Sequence, residues 1–160
     1  MTPKRLLVDT NVWVCNYVPM RVGHVQAREF LRVAWQNKAS LCYPAPILKD
    51  VFYLLGLEYK RQIRAEKGVL TQDDAAMVNE LAWGCVQNMR EVATAVGLDD
   101  SDLWIACKYK SLSTDLEDNV VLAAAQRAKV DHLVTFDQDL IRKAPVSALL
   151  PSDMVALFEM

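Results

Sequence analysis

Four aspartates sit in settings where a carboxylate is costly unless it has something to hold. Asp9 ends the apolar run RLLVDT, and Asp137 follows the apolar run HLVTF. Asp118 lies in TDLEDNVVLAAAQR beside Val121, Leu122 and Ala125, which fall one and two turns further along a helix. Asp50 interrupts the apolar stripe Ile47, Val51, Leu54, Leu55 and Leu57, either as a mispatterned surface residue or as a positioned one. An ionised carboxylate at the edge of a core needs a partner. If such acids converge, each pair within about 4–6 Å repels by roughly 1 kcal/mol even in water. The cluster then persists only by binding cations or by holding its protons more tightly. All-oxygen donors suit Mg²⁺ or Mn²⁺.

Little else in the chain competes for a chemical role. There is no Gly-x-Ser-x-Gly, no phosphate-cradling glycine loop, and only two histidines, His24 and His132, which read as surface or strand-end residues. The four cysteines, Cys15, Cys42, Cys85 and Cys107, form no Cys-x-x-Cys pair and read as small buried hydrophobes in a reducing cytosol, which argues against zinc. With 160 residues, 52% hydrophobic and 24% charged, the sequence reads as one soluble globular domain spanning residues 1–160. A net charge of −2 gives no global attraction to nucleic acid, so any such role must rest on local patches. Lys60, Arg61, Arg64 and Lys67 form one basic cluster, and Lys108 and Lys110 another; each is either a patch of that kind or a solvated helix face. Asp9 cuts the first apolar run short, and no run reaches membrane-spanning length, so the expected location is cytoplasmic.

The elements that must position the acids alternate between strand and helix. RLLVDT is a buried strand, with VWV opening a short helix after it, and residues 24–38 have helical spacing. SLCY is a second strand, stopped by Pro44, and Pro46 suits the first turn of the helix that carries Asp50. A helix over 71–90 is opened by Thr-Gln-Asp-Asp and lined by Ala75, Val78, Leu81, Ala82 and Cys85; EVATAV is a third strand. A turn and short helix follow in GLDDSDLWIACKYK, with Asp99, Asp100 and Asp102 read as structural acids at its N-terminus. Thr114 and Glu117 spell a capping box for the next helix, HLVTF is a strand ending in an acidic turn, VSALL is a weak last strand, and Pro151 begins a terminal helix. Strands separated by helices predict an α/β fold with a mainly parallel sheet, whose ligands sit at the carboxyl ends of the strands. Asp9 and Asp137 end strands and Asp50 and Asp118 begin helices, so all four can meet at one edge. A phosphate-accepting receiver domain is also α/β with clustered acids, but its acid pair follows strand one directly, whereas Thr10 and Asn11 follow Asp9.

LLVDTNVWV, then DVFYLL, then DLEDNVVLAAAQRAKVDHLVTFDQDL resemble the PIN domain, a superfamily of metal-dependent ribonucleases, and within it the bacterial VapC-like toxins. The likeness runs over nearly the whole chain, including VSALLPSDMVALF. It implies a three-layer α/β/α fold around a parallel sheet of four or five strands in the order 3-2-1-4-5. The activity it implies is a Mg²⁺- or Mn²⁺-dependent endoribonuclease that hydrolyses phosphodiester bonds of RNA as the toxin of a type II toxin–antitoxin pair. An antitoxin protein and a second copy of the chain are the implied partners. By position, Asp9, Asp50, Asp118 and Asp137 are the implied metal-binding and catalytic acids. Asp50 stands where the family usually has Glu, about 1.5 Å shorter in reach, which favours contact through a bridging water. Asn11 and Thr135 are supporting residues, Asp115 is either a supporting acid or a helix-dipole partner, and Phe136 replaces a residue that is often polar or basic. The substitution at Asp50 leaves open the alternative of a catalytically weak RNA- or protein-binding module. Apolar residues expected to be exposed around Phe52–Tyr59 and at Trp83 either cover the sheet or form a homodimer surface.

Overall fold

The structure, a computed structural model, describes residues 3–160. Its centre is β1 (Arg5–Val8), where Leu6, Leu7 and Val8 are fully buried. β2 (Ser40–Pro44) pairs on one side of β1 and β4 (His132–Val134) on the other. β3 (Thr94–Val96) and β5 (Ala148–Leu149) form the edges, so the order is β3-β2-β1-β4-β5, and every pairing is parallel. Leu133 and Val134 are as fully buried as β1, the expected pattern for central parallel strands covered on both faces.

The connections are α1 (Thr10–Tyr17) and α2 (His24–Gln36), then α3 (Ile47–Lys67) and α4 (Gln72–Val92). After β3 come α5 (Asp100–Lys108), a 3-10 turn at Tyr109–Ser111 and α6 (Leu116–Arg127); α7 (Gln138–Lys143) and α8 (Pro151–Glu159) complete the chain. Parallel crossovers are right-handed. The steps β1 to β2 to β3 therefore put α1–α4 on one face, and the reverse step from β3 to β4 puts α5 and α6 on the other. Packing follows this division: α1 lies on α2 and α3, α3 on α4, α2 on α8, and α5 on α6. Trp13 and Phe30 are fully buried on the α1–α2 side, each contributing about 1.5–3 kcal/mol through the apolar surface removed from water. The strand order reverses between β1 and β4, which opens a crevice at their carboxyl ends. No helix among the described residues is long and apolar enough to cross a membrane.

Several local expectations change. The sixth helix is capped by Asp115, not by Thr114: the Asp115 carboxylate accepts from the Asp118 amide at 3.1 Å, and the Asp115 amide donates to Ser113 Oγ. A charged acceptor outcompetes the neighbouring hydroxyl for the helix amides, so Asp118 falls at the third helical position and Asp115 just outside the helix. The acidic turn after Phe136 is in fact the start of α7, capped by Asp137. On α3 only Ile47, Val51 and Leu55 are buried, while Leu54 and Leu57 face outward; on α4 the buried line is Val78, Ala82, Val86 and Met89, with Leu81 exposed. Cys15 and Cys42 are buried as expected, whereas Cys107 is exposed. Asp99 caps α5 through Ser101, and the fully buried Asp102 pairs with Arg127 of α6 at 2.5 Å, so these acids are structural; Asp100 is exposed in the first turn.

Candidate active site

Asp9 continues the β1 ladder through its amide, which donates to Val134 O at 3.0 Å, and then caps α1 with its side chain. Oδ1 accepts from the Thr10 amide at 2.7 Å; Oδ2 accepts from Thr135 Oγ1 at 2.7 Å and from Asn11 Nδ2 at 3.3 Å. Thr135 has no exposed surface and also receives the Asp137 amide at 3.0 Å, while Asn11 Oδ1 receives the Phe136 amide at 3.1 Å. One threonine and one asparagine thus tie the end of β1 to the end of β4 and orient the Asp9 carboxylate. Burial pushes Asp9 up to about 6; the Thr135 and Thr10 hydrogen bonds oppose that, and the charges of Asp118 and Glu117 add to it.

The other acids come from the first turns of helices. Asp118 is half-buried, with Ser113 Oγ at 3.4 Å from Oδ2, and its carboxyl is raised by burial and by the charges of Asp115 and Asp137, against a lowering by Lys143. Asp137 uses Oδ1 to accept from the amides of Asp139 and Leu140 at 2.8 and 3.0 Å. Asp50 lies in the first turn of α3 and adds to the raising of the Glu117 carboxyl, which burial raises first and Asp115 and Asp118 raise after Asp50. Asp50 is already engaged, with Lys49 Nζ 2.5 Å from its Oδ1. Phe136 is partly buried and packs against the core. Its ring packs beneath Gly23, where a Cβ would stand 3.0 Å from Cζ, and Gly23 has φ +95°. That explains an aromatic residue at a position where a polar one was expected: the ring supports the turn into α2.

The PIN domain family matches residues 5–139. The chain belongs to this family. Among solved structures, this PIN domain is similar to the Mycobacterium tuberculosis VapC20 toxin at 14% identity and TM-score 0.58, covering 86% of this chain and 93% of that one. A Pyrobaculum aerophilum protein matches at 14% identity and TM-score 0.60 over 99% and 98% of the two chains. VapBC2 from Rickettsia felis matches at 10% and 0.62 over 91% and 98%. These likenesses carry the fold. A search of curated protein sequences finds no match.

Asp9 ends β1, Asp118 lies in the first turn of α6 and Asp137 caps α7; Asp9 feels the charge of Asp118, and Asp118 those of Asp115 and Asp137. Glu117 is the member that pattern reading misses: its place in the Thr-x-x-Glu spacing assigned it to a capping box, yet the cap is Asp115 and Glu117 is free to join the acids. The donor set is all oxygen, as Mg²⁺ or Mn²⁺ requires, and the buried, cation-seeking Asp9 fits such an ion. Among the described residues no three His, Cys, Asp or Glu side chains stand close enough to enclose an ion directly. Mg²⁺ keeps several of its waters, so acids at this spacing suit a hydrated ion.

Proposed function

We propose that this PIN domain is a Mg²⁺- or Mn²⁺-dependent endoribonuclease and the toxin of a toxin–antitoxin pair. The observation that carries the reading is the buried Asp9 carboxylate at the end of β1, oriented by Thr135 and Asn11 and raised in part by the charge of Asp118. Asp9, Asp118 and Asp137 would hold the ion, with the charges of Glu117 and Asp50 adding to theirs. The bound ion supplies a water of lowered pKa and a positive charge at the phosphoryl oxygen. With Asp118 among the groups that would hold the ion, Glu117, whose carboxyl burial and the charges of Asp50, Asp115 and Asp118 raise, would be the proton acceptor. Thr135 and Asn11 keep the Asp9 oxygens fixed, so no reorganisation is needed as the substrate arrives.

Backbone phosphates need cations, and the two basic clusters differ in their distance from the acids. Lys60 lies ten residues beyond Asp50 on α3, about 15 Å along the axis, and Lys67 further still and paired with Asp74. Lys108 and Lys110 instead end the α5 segment just before Ser113, the partner of Asp118, and Lys143 lies within electrostatic range of Asp118. The strand being cut is therefore expected along the α5 end and Lys143. VapC20 is described as a toxin that cleaves the sarcin–ricin loop, which supports a structured RNA as the substrate class here. Exposed Tyr53, Leu57 and Trp83 on α3 and α4 support a homodimer, and the likeness to VapBC2 supports a bound antitoxin.

Incubation of a labelled RNA pool with and without chelator, beside a DNA pool of the same sequences, tests the reading. RNA cut only when divalent cation is present supports it. RNA retained in a gel but left intact favours the alternative, a catalytically weak binding module, for which the engagement of Asp50 by Lys49 speaks. Co-expression with the product of any short reading frame directly upstream tests the antitoxin.

A further inference from the structure

Ser113 lies in the connection between the 3-10 turn and α6, yet every polar atom it has is engaged. Its amide donates to Tyr109 O at 3.1 Å, and its carbonyl accepts from Asn119 Nδ2 at 2.8 Å. Its hydroxyl accepts from the Asp115 amide at 3.2 Å and donates to Asp118 Oδ2 at 3.4 Å. Ser113 and Asn119 are both buried. Asp118 and Asn119 are consecutive on α6, so their side chains leave the helix in different directions. Both nevertheless reach Ser113, one at its hydroxyl and the other at its carbonyl.

Asn119 is a poor choice for stability alone. It is a weaker helix former than the alanines that follow it at 123–125. Its Oδ1 is buried with no partner among the described residues, an arrangement that costs stability. Its side-chain amide holds one group, the Ser113 carbonyl. Asp9 is served by a pair of the same kind: the Thr135 hydroxyl donates to its Oδ2, and the Asn11 side chain ties two elements together. We propose that Ser113 and Asn119 are positioning residues for Asp118: Asn119 fixes the Ser113 backbone, and the Ser113 hydroxyl holds the Asp118 carboxylate in place for a divalent ion. The inference rests on the reading of Asp118 as an acid that holds the ion. Because the Ser113 oxygen accepts from the Asp115 amide, its proton is left to donate to Asp118. Groups that orient a ligand in this way typically account for a 10–100-fold change in metal affinity, and the long 3.4 Å contact puts Ser113 at the low end.

Calorimetric Mn²⁺ titration of the full chain tests this with wild type, Ser113→Ala, Ser113→Thr, Asn119→Ala and the double variant Ser113→Ala with Asn119→Ala. Each change removes or adds only a few atoms, and melting temperatures in metal-free buffer report the folded state of each protein. Ser113→Ala is expected to bind Mn²⁺ about tenfold more weakly than wild type. Ser113→Thr keeps the hydroxyl and is expected to bind within about twofold of wild type. Asn119→Ala is expected to weaken binding by a smaller factor than Ser113→Ala. The double variant should bind no more weakly than Ser113→Ala, because Asn119 acts only through the serine hydroxyl, whereas two separate structural losses would add. Wild-type affinity in Ser113→Ala, or losses that add in the double variant, overturns the positioning role and leaves the cation site standing. No Mn²⁺ uptake by the wild type overturns the reading of Asp118 as an acid that holds the ion, and this proposal with it.

Discussion

Replacing Asp9 by Asn is expected to change stability with a sign that depends on pH. Asp9 is raised from 3.8 to about 6 in the folded protein. At 1.36 kcal/mol per unit, the folded state binds the Asp9 proton about 3 kcal/mol more tightly than the unfolded chain does. A raised carboxyl contributes stability that is fully present below its unfolded pKa and is lost as pH rises through the folded one. At pH 7.5 the wild type therefore carries the whole cost of an ionised, buried Asp9. Asn removes that cost but has one acceptor oxygen where Asp9 uses two, for Thr10 on one side and Thr135 with Asn11 on the other. Losing one side costs about 1–2 kcal/mol. Asp9→Asn should accordingly be about 1–2 kcal/mol more stable than wild type at pH 7.5. At pH 4.5 folded wild type is largely protonated at Asp9 and regains about 2 kcal/mol, so the advantage should vanish or reverse. Urea unfolding of both proteins at the two pH values, in buffer with chelator, measures the difference with other titrations largely cancelled. The same difference at both pH values would refute the assignment of a buried, charge-strained Asp9.

Three further outcomes are expected. Gly23→Ala should lose about 1–3 kcal/mol by thermal or urea unfolding, because φ +95° and the Phe136 ring at 3.0 Å both oppose a Cβ; adding Phe136→Leu should recover only the part due to the contact. Arg127→Met should cost about 3 kcal/mol, at the low end for removing one partner of a buried pair because Arg127 is partly exposed, and Asp102→Asn in the same protein should return part of it. Sedimentation should give a species near twice the 18.1 kDa chain mass, which Tyr53→Glu together with Trp83→Glu returns to the chain mass; a wild type that sediments only at 18.1 kDa contradicts the homodimer.

The central strands are legible as short apolar runs with clear stops, such as Pro44 at the end of β2 and the switch to helical spacing after Asp9, whereas their order, 3-2-1-4-5, follows from the resemblance to the PIN domain. The positions of Asp9 and Asp137 at strand ends follow from the same pattern. What pattern cannot supply is competition between neighbours. Thr114 and Asp115 both qualify as caps, and only the reach of the Asp115 carboxylate to the Asp118 amide decides between them. That one-residue shift releases Glu117 from a capping role, and its carboxyl feels the charge of Asp50 on a separate helix, which spacing along either helix does not encode. Leu54, Leu57 and Leu81 are exposed for a related reason: apolar periodicity identifies a stripe, but only the packed neighbours determine which side of it is covered. The six-residue α7 is too short to show a period at all, so the sequence pattern marks its cap, Asp137, only as an acid at a strand end.

The most direct test of the central claim is RNA cleavage by wild type and Asp118→Asn, purified in parallel and assayed with Mg²⁺, with Mn²⁺ and with chelator. Wild type should cut RNA only with a divalent cation. Asp118→Asn should be inactive yet folded, with a melting temperature equal to or above that of wild type in metal-free buffer, because one charge has left a repelling group. Full cleavage by Asp118→Asn, or cleavage by wild type that persists in chelator, would contradict the account.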